Sequence, residues 1–136
     1  MKPYSSSFIL LGILMSAMIG TGHLYTETLR SISAEEAYDM IHSGSFSGTI
    51  LDIRTREEFE SGHIDGAVHI DYYGEDFRSQ IGELDRGTRY IVYCRSGNRS
   101  GLVLPLFERL SFSHVYDMAG GILSWNQNGY PVSGQP

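Results

Sequence analysis

"RYIVYCRSGNRSGLVLPLFERL", Arg89 to Leu110, decides the fold. Its first five residues form the most apolar of the expected strands, rich in β-branched and aromatic side chains, as a buried strand requires. That run leads straight into Cys94. From about Arg99 to Leu110 the spacing predicts a helix. The connection Cys94-Arg95-Ser96-Gly97-Asn98-Arg99 is short and carries a glycine. A buried strand, a tight turn and a helix make one half of a crossover unit, so a parallel sheet is expected.

The same alternation extends both ways. "ISAEEAYDMIHSG" opens with Ser33 as N-cap and Glu36 three residues on, a capping box, and closes at Gly44. "GTILDI" reads as a short buried strand. "TREEFESG" repeats the capping device with Thr55 and Glu58, and "GAVHI" is another strand. "DYYGEDFRSQIGELDRG" reads as a loop and a helix over Glu75–Ile81. "HVYDM" is the last strand, and "GGILSWNQNG" a short helix ended by Gly129. The expected fold is a single three-layer α/β domain, with about five strands in a central parallel sheet and helices on both faces.

The chain of 136 residues suits one domain with its own core. Its 41% hydrophobic and 19% charged content argues against disorder. A net charge of −6 disfavours nucleic acid as a partner, because phosphate binding needs a basic surface. Lysine occurs once, at Lys2, and the other cations are arginines, which suit oxyanions better. One cysteine excludes an intrachain disulfide, and the lack of a Cys/His cluster argues against bound metal. No cofactor is implied.

The N-terminus is a separate object. After Lys2 the chain runs apolar from Phe8 to Ile19, 12 residues, then turns small and polar. That is short for a membrane span and suits a signal-peptide core. Residues 1–22 are therefore expected to be a signal peptide, with an uncleaved signal anchor as the alternative and the only expected tie to a membrane. Residues 23–30 read as a short tether and 31–136 as the domain. The expected location is extracytoplasmic, such as a periplasm.

Cys94 stands where open parallel sheets bind ligands, beyond the carboxyl end of a strand. A turn of this kind can aim successive N–H groups inward as an anion nest, and the helix that follows adds the positive end of its dipole. Arg95 and Arg99 add charge if they face inward. Together these favour the thiolate. Ser96, Gly97 and Asn98 complete the candidate anion loop.

At these residues the sequence resembles the rhodanese domain, a single-domain sulfurtransferase. "LDIRTREEFESGHIDGAVHI" is similar to the family's first signature, "YCRSGNRS" to its active-site loop and "GGILSWNQNGYPV" to its C-terminal segment. The resemblance implies a thiosulfate:cyanide sulfurtransferase in which Cys94 takes sulfur from a thiosulfate-like donor as a persulfide. A thiol or cyanide acceptor then removes it. It implies donor binding by Arg95 and loop anchoring by Arg99. An alternative is a persulfide carrier or sensor with low turnover of its own. A weaker one is a cysteine-dependent phosphatase or arsenate reductase. Four residues separate Cys94 from Arg99, one fewer than in the related phosphatase and reductase loops, which favours sulfur over a tetrahedral oxyanion.

The remaining motif residues read as support. Asp52, ending a strand, is expected to brace the loop from below, and Arg54 and Glu58 to pair across a helix start. His63 reads as a hydrogen-bonded turn residue and Trp125 as core. His42, His69 and His114 show no ligand spacing. Tyr72 and Tyr73 are candidates for the border of the site. Pro105 interrupts the helix after the loop. Ser111 takes the place of the family's usual helix-ending glycine, so strain is expected there.

Overall fold

The computed structural model describes residues 28–134. The expected signal peptide and most of the expected tether lie outside them. The elements run β1 (Thr28–Ile32), α1 (Ala34–His42), β2 (Gly48–Asp52), α2 (Arg56–Glu60), β3 (Val68–His69), α3 (Phe77–Glu83), β4 (Arg89–Tyr93), α4 (Asn98–Arg109), β5 (His114–Met118) and α5 (Gly121–Gln127). The five strands form one sheet in the order β1-β5-β4-β2-β3, with every neighbouring pair parallel.

β1 corrects the expected domain boundary. Thr28 to Arg30 are not tether but sheet, in register with His114 to Tyr116 of β5. Residues 28–31 of the strand show no apolar run, since as an edge strand it buries only Ile32 deeply. α3 also begins later than expected, at Phe77. β3 shrinks to two residues, Val68 and His69, in register with Leu51 and Asp52 of β2.

Side-chain parity along the strands builds the two cores. Leu51, Val92, Cys94 and Val115 face Phe77 and Ile81 of α3 and Val103 and Phe107 of α4. Ile50, Ile91, Tyr93, Tyr116 and Met118 face the other way, onto Ala37 of α1 and Ile122 and Trp125 of α5. This is the three-layer arrangement expected. Each such aliphatic or aromatic side chain contributes about 1.5–3 kcal/mol through burial. Trp125 is core, 1% exposed, with its indole N–H donating to the Pro131 carbonyl at 2.9 Å.

The caps explain where helices start. Thr55 and Glu58 form a complete capping box at α2. At α1 only half the expected box exists. Ser33 Oγ accepts from the Glu36 N–H at 3.0 Å, but the Glu36 carboxylate turns to Arg30 on β1. Pro105 lies inside α4, where it cannot donate to the Gly101 carbonyl. Past the end of α4, Ser111 takes φ 61°, a left-handed conformation that costs a side-chain-bearing residue about 1–2 kcal/mol.

Candidate active site

β4 delivers Cys94 at its carboxyl end, and parity turns the side chain toward α4. The loop that follows folds back over the sulfur. Gly97 takes φ 92°, which a residue with a Cβ rarely adopts, and a Cβ there would stand 2.8 Å from the Gly120 nitrogen. This turn brings the Gly97 N–H to 3.1 Å from Cys94 Sγ. Ser100, fully buried on the first turn of α4, places its hydroxyl 3.5 Å from the same sulfur and 3.4 Å from the Gly97 carbonyl. Burial pushes the thiol up. The Ser100 hydroxyl and the N–H groups of Ser100, Gly97 and Ser96 more than offset it, and the net displacement is downward, toward thiolate. Cys94 itself is 1% exposed and is a free cysteine.

Something must hold the loop's carbonyls outward so that its N–H groups face in. The C-terminal motif does this. Ile122 N–H donates to the Cys94 carbonyl at 2.9 Å and Leu123 N–H to the Arg95 carbonyl at 3.1 Å. Gly121 sits so close that a Cβ would collide with both carbonyls. The start of α5 is therefore a clamp on the cysteine loop.

The charged residues sort differently from the sequence expectation. Arg54 and Glu58 do not pair with each other. Arg54 instead makes a buried ion pair with Asp52, Nη2 to Oδ2 at 2.7 Å, and donates to the Gly62 carbonyl at 2.7 Å. The helix start directs Glu58 back to its own cap, the Thr55 N–H at 2.8 Å, and outward to Arg99. Arg99 binds it with both terminal nitrogens, at 2.9 and 2.8 Å. These contacts, opposed by burial, lower the Glu58 carboxyl to about 2. The Asp52 carboxylate turns to Arg54, accepting from its backbone N–H and from its guanidinium, which also lies 5.6 Å from the centre of the Tyr93 ring. The bracing by Asp52 passes through the ion pair to the Gly62-His63-Ile64 segment, where the Tyr93 hydroxyl accepts from Ile64 N–H at 3.1 Å.

The expected loop residues are otherwise where the spacing put them. Arg95, Ser96 and Asn98 are exposed at the rim. Arg95 has no ion-pair partner among the described residues, whereas Arg99 is held by Glu58 and covered by the Tyr73 ring, 5.6 Å from its centre. Tyr73 thus borders the site as expected. His63 is hydrogen-bonded as expected but sits in an isolated antiparallel bridge with Ser133, not in a turn, with Nδ1 2.9 Å from the Phe59 carbonyl and its ring stacked on Phe59. No metal-binding cluster occurs among the described residues. Two contributors were missed. Ser100 was signalled only by its position one turn past the loop, and the clamp only by the paired glycines of "GGILSW".

The geometry agrees with comparisons to known proteins. A family model of the rhodanese-like domain matches residues 33–128. The chain is 32% identical over 112 residues to thiosulfate sulfurtransferase 16 of Arabidopsis thaliana, a chloroplastic protein, covering 75% of this chain and 91% of that one. It is 33% identical over 108 residues to the thiosulfate sulfurtransferase GlpE of Pseudomonas aeruginosa, covering 79% and 92%. The fold superposes with a TM-score of 0.69 on the crystal structure of a rhodanese-related protein from Thermoplasma volcanium, at 33% identity, over 79% of this chain and 100% of that one. With a matching family model, relatives matched over most of their length and a shared parallel five-stranded sheet, the chain belongs to the rhodanese-like domain family.

Proposed function

We propose that the protein is a thiosulfate-type sulfurtransferase that works through a persulfide on Cys94. The observation that carries the reading is the cradle on Sγ, with the Gly97 N–H at 3.1 Å and the Ser100 hydroxyl at 3.5 Å. Groups that hold a thiolate also hold the terminal anion of a persulfide, so the same donors serve both halves of the cycle. The Cys94 thiolate attacks the outer sulfur of a thiosulfate-like anion. The sulfur–sulfur bond of the donor breaks, its electron pair leaves with sulfite, and Cys94 carries the sulfur. A thiolate or cyanide then attacks that outer sulfur and Cys94 leaves as thiolate.

The arginines take separate roles in this reading. Arg95, exposed and unpaired among the described residues, attracts the donor. Arg99, committed to Glu58, fixes the loop. Asp52 and Arg54 support the neighbouring segment. In this reading the apolar N-terminal run acts as a signal peptide for export from the cytoplasm, which N-terminal sequencing of the mature protein tests.

The test of the activity is mass spectrometry after incubation with thiosulfate. The expected result is the gain of one sulfur atom on Cys94, absent from Cys94→Ser, with thiocyanate released on adding cyanide. An unmodified wild-type mass refutes the reading. A second reading, a sulfur carrier loaded by a partner, is favoured by the 1% exposure of Cys94, which limits direct access. Slow loading from thiosulfate beside fast loading from a small persulfide selects it.

A further inference from the structure

A small cavity opens on the sheet face away from Cys94, where α1 and α5 pack. It holds about 100 Å³ and is lined by Ile41, His42, Ile64, Asp65, Trp125 and Pro131. That is the space of about three waters, well below the roughly 300–1,000 Å³ of small-ligand sites, and it suits the end of one long side chain. Its walls are fixed in advance. The Trp125 indole N–H donates to the Pro131 carbonyl at 2.9 Å, and the backbones of His63 and Ser133 pair beside it at 2.9 and 2.8 Å. His42 is held by Nδ1, 2.9 Å from the Tyr38 carbonyl, and by stacking on the Tyr38 ring with centroids 3.9 Å apart. Tyr130 stacks on Tyr38 at 4.0 Å and meets Trp125 edge-on at 5.1 Å.

The charge around this cavity has one sign. Asp65 is exposed, and its carboxylate accepts from the Ser133 hydroxyl at 3.0 Å but has no ion-pair partner among the described residues. Glu35 and Asp39 of α1 are exposed and equally unpaired there. Both lie near the Tyr130 phenol, which burial and then these carboxylates push up. No cation answers them. α5 and residues 129–134 carry no charged side chain, and Arg30 is committed to Glu36.

We propose that this cavity is a docking slot for one lysine or arginine side chain of a basic protein segment. Ile41, Ile64 and Pro131 match the apolar stem of such a side chain. The Trp125 and His42 rings and the Asp65 carboxylate match its cationic head. Glu35 and Asp39 attract the cations that flank it in a basic segment. A neutral apolar occupant would strip water from Asp65 without replacing it, and an anion would be repelled. The sheet separates the slot from the cluster that contains Cys94, so a partner docked here leaves the cysteine loop uncovered. The assignment is independent of the sulfurtransferase reading.

Trp125 is the only tryptophan of the chain, so its emission reports on the slot. Pentalysine and pentaarginine are titrated into the protein at about 0.15 M salt, where charges more than about 8 Å apart are screened. The expected result is a saturable change in emission with at least one of them, and amide shifts at Ile41, His42, Asp65 and Ser133. Asp65→Asn, which keeps an oxygen for Ser133, is expected to weaken that binding about fivefold. Glu108→Gln removes one exposed charge from α4 on the other face and is expected to leave it unchanged. Silent emission and unmoved amides in the wild type overturn the proposal. Equal losses in the two variants overturn it too, because they show general attraction to an acidic chain. Equal binding by pentalysine acetylated on its ε-amines overturns it in favour of an apolar occupant. Emission that changes with protein concentration alone overturns it in favour of a second copy of the chain.

Discussion

Ser100→Ala isolates the hydroxyl that the loop aims at the nucleophile. The substitution keeps the Cβ and the helical backbone and removes one buried oxygen, 3.5 Å from Cys94 Sγ. A hydrogen bond to a charged acceptor is worth about 1.5–3 kcal/mol. The distance to sulfur is long, so the low end applies, about 1.5 kcal/mol, or roughly tenfold in the ratio of thiolate to thiol. The sign follows from the geometry. The hydroxyl donates to sulfur and favours the anion, so its loss raises the thiol's titration point. The rate of persulfide formation from thiosulfate is expected to fall about tenfold on the acid side of that point and to converge with wild type above it. The assay is the pH dependence of that rate, with the ¹³Cβ shift of Cys94 as an independent titration of a chain with one cysteine. Ser100→Thr, which keeps the hydroxyl, restores the profile. Superimposable profiles for wild type and Ser100→Ala refute the reasoning and show that the hydroxyl serves the Gly97 carbonyl, 3.4 Å away, instead of the sulfur.

Three further outcomes follow from neighbouring contacts. Because the Glu58 carboxyl lies at about 2, its pairing stabilises the fold fully above pH about 4.5 and is lost as pH falls toward 2. Denaturant midpoints measured from pH 6 to pH 2.5 should show that loss in wild type, and Glu58→Gln should remove it and cost about 1–3 kcal/mol at neutral pH. Gly121→Ala should push the clamp off the Cys94 and Arg95 carbonyls, leaving near-wild-type circular dichroism but at least about tenfold slower persulfide formation; an unchanged rate shows that the clamp is dispensable. Ser111→Gly relieves the left-handed strain after α4 and should raise stability by about 0.5–1 kcal/mol, read as a higher melting temperature; a lower one shows that the serine is not strained.

What the sequence made legible, and what it hid, follows from the range of the interactions involved. The central strands and their helices were readable because β2, β4 and β5 are buried on both faces and each must be apolar in its own right. β1 was not, because an edge strand is defined by its partner, and residues 28–31 carry no apolar signal of their own. The capping box at Thr55 was local and held, whereas Glu36 was captured by Arg30, an ion-pair partner six residues away on another element. The Arg54–Glu58 pair failed for the same reason. Spacing of four suits two residues on one helix, but Arg54 lies before α2, where the nearer Asp52 carboxylate takes it.

The candidate site shows the same division at finer scale. A cysteine after an apolar strand, followed by a glycine-bearing turn, announces an anion loop, and in the described loop the Gly97 N–H points at the cysteine sulfur, 3.1 Å away. What tunes the loop comes from elsewhere in the chain. Glu58 reaches Arg99 across 41 positions of sequence, and the start of α5 binds the Cys94 and Arg95 carbonyls from a segment nearly thirty residues downstream. This placement has a physical reason. A six-residue turn cannot hold its own carbonyls outward and its own N–H groups inward, since each needs a partner of the opposite kind. Sulfur occupies the inner set, and the α5 N–H groups occupy the outer set. The three sequence motifs are therefore one device, in which the first supplies the anchor for Arg99, the second the proposed nucleophile, and the third the donors that turn the loop inside out. Changing any one should register at the sulfur before it registers in the fold.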